Sequence, residues 1–209
     1  LHNRRCLKEF MTVEAARIPR EARELEHGRT PEHQAPVGLF MVDLDHFKRV
    51  NDTHGHPIGD MLLKQTGEAL SNAVRHSDIV VRWGGEEFLV IARSKERGHT
   101  SIDAEKLRSA VEKLECKLPN GQVLRNTCSV GYCVIPFFPG QPRLLNWEEV
   151  LGMADAALMV AKTEGRNRWV GVICPDQLWQ DIKLTYIEVI SDVKVAAEKG
   201  LVKLDRYKR

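Results

Sequence analysis

Nowhere in the 209 residues is there the run of roughly eighteen apolar residues that a membrane-crossing helix needs, and the opening LHNRRCLKEF lacks the apolar core of a secretory signal. No membrane contact is expected of this stretch of chain. Charge of one sign is also missing: the net charge is +2, with acids and bases interspersed. That pattern offers no general surface for a nucleic-acid polymer and leaves only local basic residues to matter. Cysteine is sparse. Cys6, Cys116, Cys128, Cys133 and Cys174 are scattered without a CxxC pair, so neither a disulfide framework nor a zinc site is expected, and reduced thiols suit a cytoplasmic setting. The chain opens on Leu1 rather than Met, and the expectation is a piece of something longer. What is present is 43% hydrophobic content, enough for one core and hardly two.

The chain is organised around Ile79–Ala92, IVVRWGGEEFLVIA. Two apolar runs rich in β-formers flank Gly84-Gly85 and the acidic pair Glu86-Glu87, the pattern of a hairpin whose tight turn calls for positive φ. Glycines there let a phosphate approach bare backbone N–H groups, and a carboxylate just beyond can hold a hard cation that neutralises phosphate oxygens. Most such turns are merely solvated connections, so a second half of the site must come from elsewhere. It appears in Val37–Asp45, VGLFMVDLD, an apolar run without helical period that reads as a buried central strand. Asp43 emerges at its end. If the two segments pair, Asp43 and Glu86 clamp one Mg²⁺ (or Mn²⁺) between them, with the Leu44 carbonyl as a third oxygen ligand.

Asp43–Asp60, DLDHFKRVNDTHGHPIGD, together with GGEEF at Gly84–Phe88, SVGYCVI at Ser129–Ile135 and ADAALMVAKTEGRNR at Ala154–Arg168, resembles the GGDEF domain of diguanylate cyclases in the Glu-containing GGEEF form. The resemblance runs from about Leu1 to Gly171 in the family's order. Of the family's opening DxLTGLxNRR segment only LHNRR is present.

The remaining elements follow from pattern. Asn3–His27 reads as a helix interrupted near Pro19, and Arg20–Pro36 as a solvated loop. Asp45 is expected to cap a short helix through Val50, Gly59–Val74 and Ser101–Cys116 carry helical apolar faces, and Val123–Ile135 is a strand region. Asn146 starts a helix over Trp147–Glu164 that Gly165 ends, and Trp169–Ile173 closes the sheet. The expected fold is α+β, a central, mainly antiparallel five-stranded sheet flanked by helices, as in the palm-like nucleotide-cyclase fold that the resemblance implies. Residues 1–173 are expected to form the GGDEF domain and 174–209 a helical extension, with Leu178–Lys199 as one amphipathic helix packed on the domain or binding a partner.

The resemblance implies a Mg²⁺-dependent diguanylate cyclase that condenses two GTP into cyclic di-GMP, working as a homodimer with one GTP per subunit. The alternative is a catalytically silent domain that binds cyclic di-GMP or GTP as a receptor. By resemblance Asp43, Leu44 and Glu86 hold the metal, and Glu86 or Glu87 is the base. Asn51 and Asp60 read guanine, whose N–H donor edge an amide and a carboxylate can discriminate. Phe47, Lys48, His56, Gly84 and Gly85 contact the nucleotide, and Lys162 and Arg166 hold its triphosphate. Arg75 and Asp78, an RxxD five residues before the diglycine, match the family's inhibitory product site. Lys106 stands where a second arginine is usual, with Arg108 near, and lysine lacks the planar fork for tight binding.

Overall fold

The computed structural model describes Leu7, Met11 and residues 36–94 and 96–207. The expected N-terminal helix and the loop after it lie outside the described residues, apart from Leu7 and Met11, which are helical and buried in the core, and residue 36.

Strand β1 (Val37–Leu44) is buried at every position. Its neighbours explain this. β1 is hydrogen-bonded on one side to β3 (Glu87–Arg93) and on the other to β6 (Cys128–Ile135), both antiparallel. Alternate side chains then feed two cores: Val37, Leu39 and Met41 on one face, Phe40, Val42 and Leu44 on the other. β2 (Ile79–Gly84) pairs with β3 through the expected hairpin, with a bulge between Arg82 and Gly84.

The helices cover both faces. α1 (Phe47–His54), α2 (His56–Ala73) and α3 (Thr100–Glu112) supply residues to the core around Phe40, and α4 (Trp147–Thr163) packs on the opposite side. Asn146 caps α4 in a reciprocal box with Glu149, fixing the start that the sequence marked. α4 lies unusually close to β6. A methyl on Gly131 would stand 2.1 Å from the Ala154 carbonyl and 2.2 Å from the Leu158 nitrogen.

The sheet has six strands rather than the expected five, in the order β2-β3-β1-β6-β7-β8, with β7 (Trp169–Ile173) parallel to β6. The sixth, β8 (Lys203–Arg206), comes from the C-terminal segment and pairs antiparallel with β7. β4 (Cys116–Lys117) and β5 (Val123–Leu124) form a separate small ribbon, which splits the single strand region expected over 123–135.

The single helix expected over 178–199 is also corrected. Two helices occur, α5 (Ile182–Ser191) and α6 (Val193–Glu198), and aspartates set their limits. Asp181 accepts from the Leu184 N–H at the start of α5, and Asp192 accepts from the Lys194 and Val195 N–H groups at the start of α6. The apolar period continues across Asp192, but a side-chain cap there ends one helix and begins the next. Leu178 falls outside both, while Trp179 is buried against Phe137 and Phe138 and donates its indole N–H to the Leu201 carbonyl at 2.6 Å.

Candidate active site

The end of β1 and the tip of the β2–β3 hairpin meet. Asp43 is opposite Glu87 in the register, and the Leu44 N–H donates to the Glu86 carbonyl at 3.4 Å. Opposed residues in a sheet share a face, so Glu87 lies on the side of Asp43 and of α4. The last turn of α4 delivers Lys162, whose Nζ is 2.8 Å from Asp43 Oδ2. The turn itself, Gly85-Glu86, is pinned by Arg82, which donates through Nε and Nη2 to the Gly85 carbonyl at 3.2 and 2.9 Å. Neither Gly84 nor Gly85 has positive φ, contrary to expectation. The value of Gly85 here is its open space: nothing lies within 4 Å of where its Cβ would be.

The acids are electrostatically frustrated. Burial pushes the Asp43 carboxyl up, the Lys162 ammonium opposes this, and Asp45 adds a further upward push. Burial also raises Glu86, followed by the Asp43 charge, with Lys162 again opposing and Glu87 raising. Two carboxylates, Asp43 raised by burial and Glu86 by burial and then by the Asp43 charge, beside the Leu44 carbonyl have the donor chemistry of a hard divalent cation. Among the described residues no group of three or more His, Cys, Asp or Glu side chains is placed to hold a metal. A cation held here by Asp43 and Glu86 would take few protein ligands and leave most of its shell to phosphate oxygens and water, which suits Mg²⁺.

Asp45 does not cap α1. His46 is the N-cap, in the left-handed region at φ 56°, and makes no side-chain cap. Asp45 is buried and accepts from Thr127 Oγ1 at 2.6 Å, Ser129 Oγ at 2.7 Å and the Asn167 N–H at 3.0 Å. It fastens the loop after α4 to the end of β1. That loop, Gly165 to Asn167, has positive φ throughout, and its Arg166 lies near enough to Asp43 to favour the ionised carboxylate.

The residues expected to read guanine, Asn51 and Asp60, lie where α1 meets α2. Asn51 Oδ1 is buried and has no hydrogen-bond partner, which is costly unless a ligand donates to it. Gly59 leaves the room: a methyl there would fall 1.9 Å from that oxygen and 3.1 Å from Phe47 Cζ. Phe47 is a core residue, whereas Lys48, His56 and Asp60 are exposed. Gly59→Ala is expected to leave Tm close to the parent's, a gain of about 1 kcal/mol in helix propensity offsetting the crowding of the buried Phe47 ring. It displaces the Asn51 amide, so GTP affinity measured by calorimetry falls by at least about tenfold. An unchanged affinity would remove Asn51 from the base site.

Arg75, Asp78 and Lys106 line one hollow of about 170 Å³ together with Arg93 and Leu107. Both Asp78 oxygens already accept backbone N–H groups, from Arg75 at 3.0 Å and Arg93 at 3.3 Å, and Lys106 is paired with Asp103 at 2.9 Å. The hollow lies beside the start of β2, the end away from the hairpin turn. Arg108 does not line it; it is buried and turned toward Asn167.

A mixed six-stranded sheet presenting paired acids and an ammonium at a diglycine hairpin defines an α+β domain of the GGDEF type. Comparison with known proteins agrees. Residues 1–168 match the family described as "Diguanylate cyclase, GGDEF domain", and the chain belongs to that family. Diguanylate cyclase DosC of Escherichia coli K12 is 37% identical over 146 residues, which is 70% of this chain and 30% of the relative. The chain thus spans about a third of that relative's length. Among solved structures, the Pseudomonas aeruginosa diguanylate cyclase SiaD, in complex with its activator SiaC, aligns at TM-score 0.66 with 33% identity, covering 82% of this chain and 58% of that one. The GGDEF domain of Caulobacter crescentus DgcB in complex with c-di-GMP aligns at TM-score 0.64 with 28% identity, covering 82% and 88%. No helix among the described residues is long and apolar enough to cross a membrane.

Proposed function

We propose that this chain is an active diguanylate cyclase: it joins two GTP molecules into cyclic di-GMP and releases two pyrophosphates. The observation that carries this reading is the meeting of Asp43, Glu86 and Lys162 at one point, with Asp43 raised by burial and Glu86 by burial and the Asp43 charge. In each half-reaction a ribose 3′-OH loses its proton and its oxygen bonds to the α-phosphorus of the other nucleotide, while the bond to the pyrophosphate oxygen breaks. Such a displacement needs held phosphates, neutralised charge and a nearby base. Asp43, Glu86 and the Leu44 carbonyl would hold Mg²⁺ or Mn²⁺, which when bound screens the phosphate charge. Lys162 and Arg166 bring positive charge toward the triphosphate, with Lys48 assisting from α1. The part-buried backbone at Gly84 and the exposed backbone at Gly85 admit it closely, and Asn51 and Asp60 select guanine. Glu86 and Glu87 share the base role.

One chain offers one such site, so catalysis requires two chains with their sites opposed. The acids, amide and lysine that a silent receptor would not need are all present, which favours the enzyme over the receptor. The inhibitory hollow at Arg75 and Asp78 takes the product weakly, since Asp78 is committed to the backbone and Lys106 to Asp103.

Incubating the chain with GTP and Mg²⁺ at increasing protein concentration tests the reading. Pyrophosphate and cyclic di-GMP should form, with specific activity rising as dimers accumulate. Tight nucleotide binding without pyrophosphate release would establish the receptor instead.

A further inference from the structure

Arg166 sits where α4 closes, its N–H returning to the Ala161 carbonyl at 3.0 Å and its own carbonyl accepting from Arg168 Nε at 3.1 Å, and the chain stays left-handed past that closure. Gly165, Arg166 and Asn167 have φ of 115°, 63° and 46°, and for a long side chain such as Arg166 the left-handed region is intrinsically unfavourable. Beyond these local bonds, side-chain contacts from distant elements hold Asn167 in place.

Asn167 is tied at three atoms. Its N–H donates to Asp45 Oδ2 at 3.0 Å, its Nδ2 donates to Glu112 Oε1 at 2.8 Å, and its Oδ1 accepts from Arg108 Nη1 at 2.6 Å. Arg108 is itself fixed. Glu105 takes its Nε and Nη2 at 2.9 and 2.7 Å, Glu112 lies 2.9 Å from Nη1, and the guanidinium stacks 5.0 Å above the ring of Tyr207. The guanidinium itself is buried while both carboxylates stay part-exposed, and charge-assisted bonds of this kind are directional.

Tyr207 follows directly on β8. Its N–H donates to the Trp169 carbonyl at 3.1 Å, and its ring meets that of Trp169 edge-on, while the Trp169 indole N–H reaches Glu105 Oε2 at 3.2 Å. The other end of the loop is held from the same C-terminal segment. Glu164 lies 3.4 Å from both Lys194 of α6 and Arg206 of β8. Tyr132, at the centre of the sheet, anchors β8 by donating to Asp205 Oδ2 at 2.6 Å.

From this set of contacts we infer that the C-terminal segment acts as a clamp on the phosphate-binding loop: Tyr207, through Arg108 and Asn167, positions Arg166 for the triphosphate. Tyr207, Arg108 and Asn167 are positioning residues, since none touches the reacting atoms. The inference rests on the assignment of Arg166 to the triphosphate made above.

The test compares Tyr207→Ala, Tyr207→Phe and Asn167→Gly in the full chain, by KM and kcat for GTP and by calorimetric affinity for a GTP analogue with a methylene bridge between its α- and β-phosphorus atoms. Tyr207→Ala removes the ring beneath Arg108, and KM and the analogue's dissociation constant should rise about tenfold with a smaller change in kcat. Tyr207→Phe keeps the ring and should stay within about twofold of the parent. Asn167→Gly accepts positive φ and keeps the N–H to Asp45 but loses the two side-chain links, so it should weaken binding even if Tyr207→Ala fails to fold. Equal analogue affinity in the parent and in Asn167→Gly would overturn the clamp. A parent chain that binds the analogue but releases no pyrophosphate would overturn the cyclase reading while leaving the clamp to be judged on binding, and a parent that binds neither nucleotide would overturn both.

Discussion

Replacing Glu86 by Gln is expected to slow pyrophosphate release from GTP by about a thousandfold while leaving the protein no less stable. The loss follows from neutralising one of the two carboxylates proposed to hold the cation and removing one of two candidate bases, worth about 4 kcal/mol of barrier. The unchanged stability follows from the electrostatics. Burial comes first among the causes that raise Glu86 and the Asp43 charge second, so its ionised form is disfavoured in the folded state. The sign is fixed by proton counting. Above its ordinary value of 4.5 the folded protein holds the Glu86 proton more tightly than the unfolded chain does. Glu86 therefore contributes most below that pH, and its contribution declines as pH rises through the raised folded value. Without divalent cations, Tm of the parent relative to Glu86→Gln should fall as pH is taken from 4.5 toward neutrality. Adding Mg²⁺ at neutral pH should raise the parent's Tm more than the variant's. A variant that turns over normally, or that is markedly less stable at neutral pH, contradicts the placement of Glu86 beside Asp43.

The second large effect is at Gly131. Alanine there puts a carbon 2.1 and 2.2 Å from backbone atoms of α4, and backbone cannot swing aside as a side chain can. The helix must lift from β6 at a cost of about 3 kcal/mol, which lowers Tm by about 6–12 °C for a domain of this size. Lys162 lies one turn beyond Leu158, so the same displacement draws its Nζ away from Asp43, 2.8 Å distant in the parent. Activity should fall even at temperatures where the variant stays folded. Gly140→Ala, where nothing lies within 4 Å of the added carbon, is the control and should melt with the parent.

Much of this site was readable from residues alone because its logic is local. A continuous apolar run ending in Asp43 signals burial on both sheet faces, and β1 has it. The diglycine between apolar runs signals a hairpin, and Asn146 signals the start of α4. What escaped was either distant in sequence or weak in period. The partners of Asp45 are 82, 84 and 122 residues away, so nothing near it distinguishes a buried acceptor from a helix cap. β8 is four residues, KLDR, at a sheet edge, too short and too polar to show an alternating pattern. Gly59 and Gly131 matter for what fits against them, which sequence spacing does not carry. The block GRNR held a signal in retrospect: glycine followed by asparagine two residues on marks a chain that can turn left-handed.

The strand order also separates two kinds of rigidity. Asp43 rides on β1, flanked by partners and covered on both faces, so its carboxylate shifts only if the whole sheet opens. Arg166 rides on a connector leading to β7, whose outer neighbour is the terminal ribbon β8, where local opening costs far less. On the proposed roles of Arg166 and Asp43, loosening that rim would tune how firmly nucleotide is gripped while the chemical centre stays put, so affinity and turnover would be adjustable separately in one small fold.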